Sequence, residues 1–114
     1  MQLENYYSSK QWQKIQNFAA NKPSPFLVVD LDRVEFKYQE LQQSFPLANI
    51  FYAVKANPSI EIIHRLDQLG SSFDIASVYE LDRVLGCGIA PERISFGNTI
   101  TKASDVKYAY DKGI

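Results

Sequence analysis

The chain has 114 residues, enough for one small domain, and its 46% hydrophobic and 22% charged content is ordinary for a soluble globular protein. A net charge of −1 and a pI near 5.8 give no electrostatic case for nucleic acid or an anionic membrane surface. No apolar run is long enough to cross a bilayer, residues 1–5 lack the basic start and apolar core of a signal peptide, and the single Cys87 has no partner for an internal disulfide, so a cytoplasmic location is expected.

Residues 1–22 read as a helical lead-in, in which Trp12, Ile15 and Phe18 (with Ala19) recur at helical spacing. Pro23-Ser24-Pro25 breaks the pattern and opens a second region, 23–114. Residues 26–30, Phe-Leu-Val-Val-Asp, read as a buried strand. Asp32 can cap the following helix with Glu35 three residues on; Val34, Tyr38, Leu41 and Phe45 mark one face, and Pro46 stops it.

Three strand–helix units follow. The first strand spans about residues 49–54. Asn57-Pro58 then opens a helix, with Asn as N-cap and Pro at the first helical position. Ile60, Ile63 and Leu66 share its buried face, and Gly70 stands where a left-handed residue is wanted. The second strand is predicted at 72–75. Ser77-Val78-Tyr79-Glu80 is a capping box, Leu81, Val84 and Leu85 point inward, and Gly86 and Gly88 end the helix with Cys87 as a structural thiol between them. The third strand is predicted at 93–96, and its helix starts near Ser104, turns Val106 and Tyr110 inward and ends at Gly113. Strand alternating with helix at about twenty residues per unit predicts a parallel α/β sheet, either part of a barrel or an open doubly wound sheet.

In such arrays functional groups gather where strands end and loops begin, and Lys55, Asp74 and Gly97-Asn98 all occupy such ends. A lysine at the end of a buried strand is partly stripped of water, which favours the neutral amine that attacks carbonyls. The competing reading is a surface lysine that happens to follow a strand. No His, Cys, Asp or Glu spacing predicts a metal site, and no Walker or dinucleotide glycine pattern is present. His64, the only histidine, falls on the outer surface of its helix.

Phe51-Tyr52-Ala53-Val54-Lys55-Ala56-Asn57 resembles the lysine motif of the fold-type III pyridoxal-phosphate decarboxylases, the ornithine/lysine decarboxylase group. Phe73-Asp74-Ile75-Ala76-Ser77 with Glu80 resembles that family's second strand and helix start. Pro91-Glu92-Arg93-Ile94-Ser95-Phe96-Gly97-Asn98-Thr99-Ile100 resembles its third strand, in wording closest to the bacterial enzymes. The resemblance runs from about residue 25 to 114.

It implies the first three βα units of an alanine racemase-like (β/α)8 barrel, preceded by an N-terminal helix and strand. Lys55 would be the catalytic residue, holding pyridoxal 5'-phosphate as an imine. Ala53, one inward-facing position earlier, would leave room for the cofactor, and Asp74 would lie close to Lys55. Glu80 would stand near the site. Each of these three has a plainer reading: Ala53 as core, Asp74 as a loop cap, Glu80 as the capping-box acid. Asn98 and Lys102 match the wording without a catalytic role.

The implied activity is decarboxylation of a basic amino acid in polyamine synthesis, L-ornithine to putrescine or L-lysine to cadaverine, by a homodimer of the whole protein. Alternatives are a diaminopimelate or arginine-type decarboxylase, a non-catalytic regulatory homologue, and an unrelated flavodoxin-like domain. A complete barrel needs roughly 250 residues. The chain is therefore expected to be the N-terminal part of a longer protein and inactive by itself, because the family's phosphate loop, ring-nitrogen glutamate and substrate-reading residues come later.

Overall fold

The computed structural model describes residues 6–114; the stretch 1–5, read above for a signal sequence, lies outside the described residues. The chain divides into two compact units that part between Asp30 and Leu31.

The first unit is built on α1 (Ser9–Ala19). Ser8 and Gln11 form a reciprocal capping box: Ser8 Oγ accepts from the Gln11 N–H at 3.3 Å, and Gln11 Oε1 accepts from the Ser8 N–H at 2.9 Å. The helix is the one that the Trp12–Ile15–Phe18 spacing predicts. Residues 26–30 are a correction. They form no strand, and Phe26 and Leu27 are exposed. An apolar β-prone run becomes a strand only where a neighbouring edge takes its backbone hydrogen bonds, so composition alone does not decide it.

The second unit runs α2 (Leu31–Ser44), β1 (Phe51–Ala53), α3 (Ile60–Gln68), β2 (Ser72–Ile75), α4 (Val78–Gly86), β3 (Ile94–Phe96) and α5 (Ala103–Asp111). Helix α2 begins at Leu31, so Asp32 lies in its first turn and is not its cap. There Asp32 and Glu35 both meet Arg65 of α3, at 3.4 and 2.7 Å, which ties the two helices. Tyr38 is the buried residue of α2, whereas Leu41 and Phe45 are exposed.

The three strands are parallel in the order β1-β2-β3, with Phe51 opposite Ser72 and Phe73 opposite Ile94. A flavodoxin-like sheet would place its first strand between the second and third, so the observed order excludes that alternative. Side chains alternate across the sheet. Phe73 and Ile75 are fully buried against Ile62, Ile63 and Leu66 of α3 and Leu81 and Val84 of α4. The other face carries Ala53, Asp74 and Ser95 in one row and is only part-buried. A doubly wound sheet needs an apolar second face for its second helical layer, whereas a row of alanine, aspartate and serine suits the inner wall of a barrel near its mouth.

Two helices differ in detail from their sequence patterns. Helix α3 starts at Ile60 behind Ser59, two residues later than Asn57-Pro58 implied, and buries Ile62 in place of Ile60. Asn57 stays extended, and its Oδ1 accepts from the Ser59 N–H at 3.1 Å. Helix α5 buries Ala109, while Val106 and Tyr110 are 53% and 77% exposed. Gly70, at φ +85°, closes the last turn of α3 in the left-handed conformation. Cys87 is half-buried, and burial pushes its thiol up from the ordinary value, as fits a structural position. No helix among the described residues is long and apolar enough to cross a membrane, and no group of three His, Cys, Asp or Glu there is placed to hold a metal ion.

Candidate functional site

The site is the cluster of loops at the C-terminal ends of the three strands. Strand β1 stops at Ala53 and the chain tightens into a single 3-10 turn, Val54–Ala56. Val54 is fully buried and anchors that turn, which leaves Lys55 exposed. The expected burial of Lys55 is therefore not supplied by the described residues: the strand ends one residue before its apolar run does, and the lysine leaves the sheet with the turn. The turn is held from beneath. The Tyr52 hydroxyl donates to the Asn57 carbonyl at 3.0 Å, and burial raises the Tyr52 phenol above its ordinary range. Arg83 Nη1 donates to the Pro58 carbonyl at 3.0 Å.

Asp74 lies directly across from Ala53 in the ladder, with Ser95 on its other side. Its carboxylate rests on the backbone of Gly97: a Cβ at residue 97 would stand 2.8 Å from Oδ2 and 2.9 Å from Cγ of Asp74. Glycine at 97 leaves room for that close approach and serves no turn. Gly97 itself prolongs the ladder, its N–H donating to the Ile75 carbonyl at 2.9 Å.

Beyond Asp74, Ser77 Oγ caps α4 by accepting from the Glu80 N–H at 3.3 Å. The Glu80 carboxylate bypasses the Ser77 N–H and accepts from the Ala76 N–H at 2.6 Å. The predicted box thus forms with its return bond shifted one residue back, and Glu80 fastens the loop that follows Asp74. The Ala76 carbonyl is bound in turn by Asn98 Nδ2 at 3.1 Å. His64 is exposed within α3 and stands at no strand end, as expected. Sequence reasoning missed Tyr52, Arg83 and Ser95. Ser95 stands two residues before Gly97 on the same face, but only the register reveals that it shares a row with Asp74.

A primary amine, a carboxylate and a floor of small residues therefore share one end of a parallel βα array whose helices lie on the opposite face. That combination defines a barrel-type βα domain with an amine-bearing site at its mouth.

Residues 31–114 match the model of the pyridoxal-dependent decarboxylase family's pyridoxal binding domain, and the chain belongs to that family. It is 36% identical over 112 residues to the lysine/ornithine decarboxylase of Selenomonas ruminantium, covering 98% of this chain and 28% of that protein. It is 39% identical over 89 residues to antizyme inhibitor 2 of Xenopus laevis, covering 78% of this chain and 20% of that protein. The crystal structure of lysine decarboxylase from Selenomonas ruminantium superposes with a TM-score of 0.82 at 37% identity, over 95% of this chain and 28% of that one. The chain thus spans between a fifth and little more than a quarter of the length of these relatives, and its three βα units are part of a (β/α)8 barrel.

Proposed function

We propose that this chain is the pyridoxal-phosphate-binding portion of a basic amino-acid decarboxylase acting on L-ornithine or L-lysine and releasing putrescine or cadaverine. The observation that carries the reading is the row Ala53–Asp74–Ser95 with Lys55 just beyond it at the sheet's C-terminal end. The residues suit the cofactor. An aldehyde-bearing ring needs a reachable primary amine, a nearby carboxylate and a surface without bulk. Lys55 is exposed in the turn that follows Ala53, Asp74 stands beside Ala53 in the ladder, and Ala53 and Gly97 add little or no side-chain bulk.

Lys55 would hold the cofactor through its Nζ, which must be neutral to bond to an aldehyde carbon. Asp74 supplies a carboxylate in the row beside Ala53. Ala53 leaves space beneath, and Glu80 fixes the loop that follows Asp74. When bound, pyridoxal phosphate supplies an electron sink for the pair left as carbon dioxide departs. The substrate's identity rests on likeness to lysine and ornithine decarboxylases, with arginine-type and diaminopimelate decarboxylases as the nearby choices. A homodimer in the cytoplasm completes the reading.

The test is to incubate the chain with pyridoxal phosphate, reduce with borohydride and map modified lysines by peptide mass spectrometry. Preferential modification of Lys55, lost in Lys55→Ala, is expected. Equal labelling of all exposed lysines sinks the reading. The likeness to antizyme inhibitor 2 favours a second reading, a non-catalytic regulator. Assay of the complete protein on ornithine, lysine, arginine and diaminopimelate separates the two: turnover of none, with Lys55 present, selects the regulator.

A further inference from the structure

We propose that Asn98 is a positioning residue for Asp74, acting by tying the loop after β3 to the loop after β2; the inference rests on the reading of Lys55 and Asp74 given above. Its two side-chain atoms do different things. Oδ1 accepts from the Ile100 N–H at 3.4 Å, a local turn contact. Nδ2 reaches across to the Ala76 carbonyl at 3.1 Å, a bond between residues 22 apart in sequence. Ala76 is also gripped through its N–H by Glu80, so the backbone two residues after Asp74 is held from both sides. The Asp74 carboxylate meanwhile leans on Gly97, the residue immediately before Asn98. Four links close a ring: Asp74 against Gly97, Gly97 bonded along the chain to Asn98, Asn98 back to Ala76, and Ala76 joined through Ile75 to Asp74. Its loop is further braced by Thr101 Oγ1, which donates to the Asn98 carbonyl at 3.2 Å.

An aspartate at 98 separates the two roles. It preserves the turn-forming oxygen and the shape, and lacks the donor for Ala76. A residue that served only the turn would tolerate that exchange. A residue that holds Asp74 in place would not, because the carbonyl of Ala76 would then face a carboxylate oxygen.

The experiment compares wild type, Asn98→Asp and Thr101→Val, the last breaking a bond within the same loop without touching Ala76. Each chain is titrated with pyridoxal phosphate across pH, trapped with borohydride and scored for Lys55 modification, while Gly97 amide exchange is followed by NMR. Asn98→Asp is expected to weaken apparent pyridoxal phosphate affinity about five-fold, the size of one lost hydrogen bond. It should also displace the pH profile of Lys55 modification, whereas Thr101→Val leaves the profile in place. If Asn98→Asp speeds Gly97 exchange and leaves the profile unmoved, Asn98 is merely structural and the proposal falls. If wild type is not modified at Lys55, the functional reading fails, and the ring is judged separately by the Asp74 carboxyl carbon resonance. That resonance should move in Asn98→Asp and stay put in Thr101→Val. Asn98→Ser, which retains a turn-forming oxygen and adds no charge, is measured beside Asn98→Asp and replaces it should that variant not fold; a displacement that appears in Asn98→Asp and is absent from Asn98→Ser is the effect of the added charge and overturns the proposal.

Discussion

A glycine and a tyrosine carry as much of the candidate site as its lysine. The Asp74 carboxylate occupies the space a side chain at 97 would need, but a carboxylate can swing about its own bonds. Gly97→Ala should therefore cost less than about 1 kcal/mol in stability, at the lower edge of overpacking penalties. It should nonetheless shift the pH profile of Lys55 modification, and the shift should vanish in an Asp74→Ala background. A stability loss that persists without Asp74 would point to backbone crowding instead. Tyr52 gives a pH prediction. Burial raises its phenol above the ordinary 10.0, so the folded state keeps the proton to higher pH than the unfolded chain. Its contribution is complete below pH 10 and drains away as pH rises through the folded value. Tyr52→Phe should lose about 1 kcal/mol at neutral pH with the Asn57 bond and then lose stability less steeply above pH 10. Tyr108, raised by its hydrogen bond to Asp82, is common to both proteins and cancels in the comparison. Urea melts at both pH values decide it, and parallel slopes would remove Tyr52 from the account.

Among the elements, α4 links site and core most directly. Its N-terminus follows Asp74 by four residues and its other end closes on buried Val84. Ser77→Ala removes the cap on the Glu80 N–H and should cost about 1 kcal/mol by thermal or urea unfolding. A loss under a few tenths would mean that the Glu80–Ala76 bond alone holds the helix start. This helix was legible in sequence because a Ser-x-x-Glu pattern followed by apolar spacing is a local signal. Strand β2 was legible for a related reason: being central, it has a neighbour on either side, so its apolar pattern and its observed bounds, Ser72–Ile75, agree. Where a tertiary partner decides the outcome, local reading failed. Residues 26–30 have strand composition and no strand. Val106 and Tyr110 have the phase of a buried face, but α5 turns Ala109 to the core and leaves them outside. Lys55 was placed correctly at the end of its strand, yet its exposure depends on walls that one strand and its turn do not provide.

At the scale of the molecule, the sheet has two bare flanks. Neither the outer edge of β1 nor that of β3 has a strand partner among the described residues. Alongside β1 runs a groove of about 580 Å³ beneath α2, lined by Val34, Tyr38, Leu41, Ile50 and Phe51. Phe51, Leu41, Val106 and Tyr110 are all substantially exposed. Unpaired parallel edges flanked by apolar side chains recruit further strands or further chains. The 114-residue chain should therefore self-associate: its sedimentation should broaden with concentration and its melting midpoint should rise with protein concentration. A sharp, reversible, concentration-independent melt of a monomer would refute this. The same openness leaves Lys55 in water, where the low-dielectric, water-excluded surroundings that strengthen electrostatic catalysis are missing. The chain by itself should consequently be modified by pyridoxal phosphate at Lys55 yet release no carbon dioxide from ornithine or lysine, a pair of outcomes that radiometric carbon dioxide trapping and peptide mapping can measure on one sample. Turnover above the rate of free pyridoxal phosphate would show that three βα units suffice for the chemistry. Modification without turnover would place the missing rate acceleration outside these three βα units.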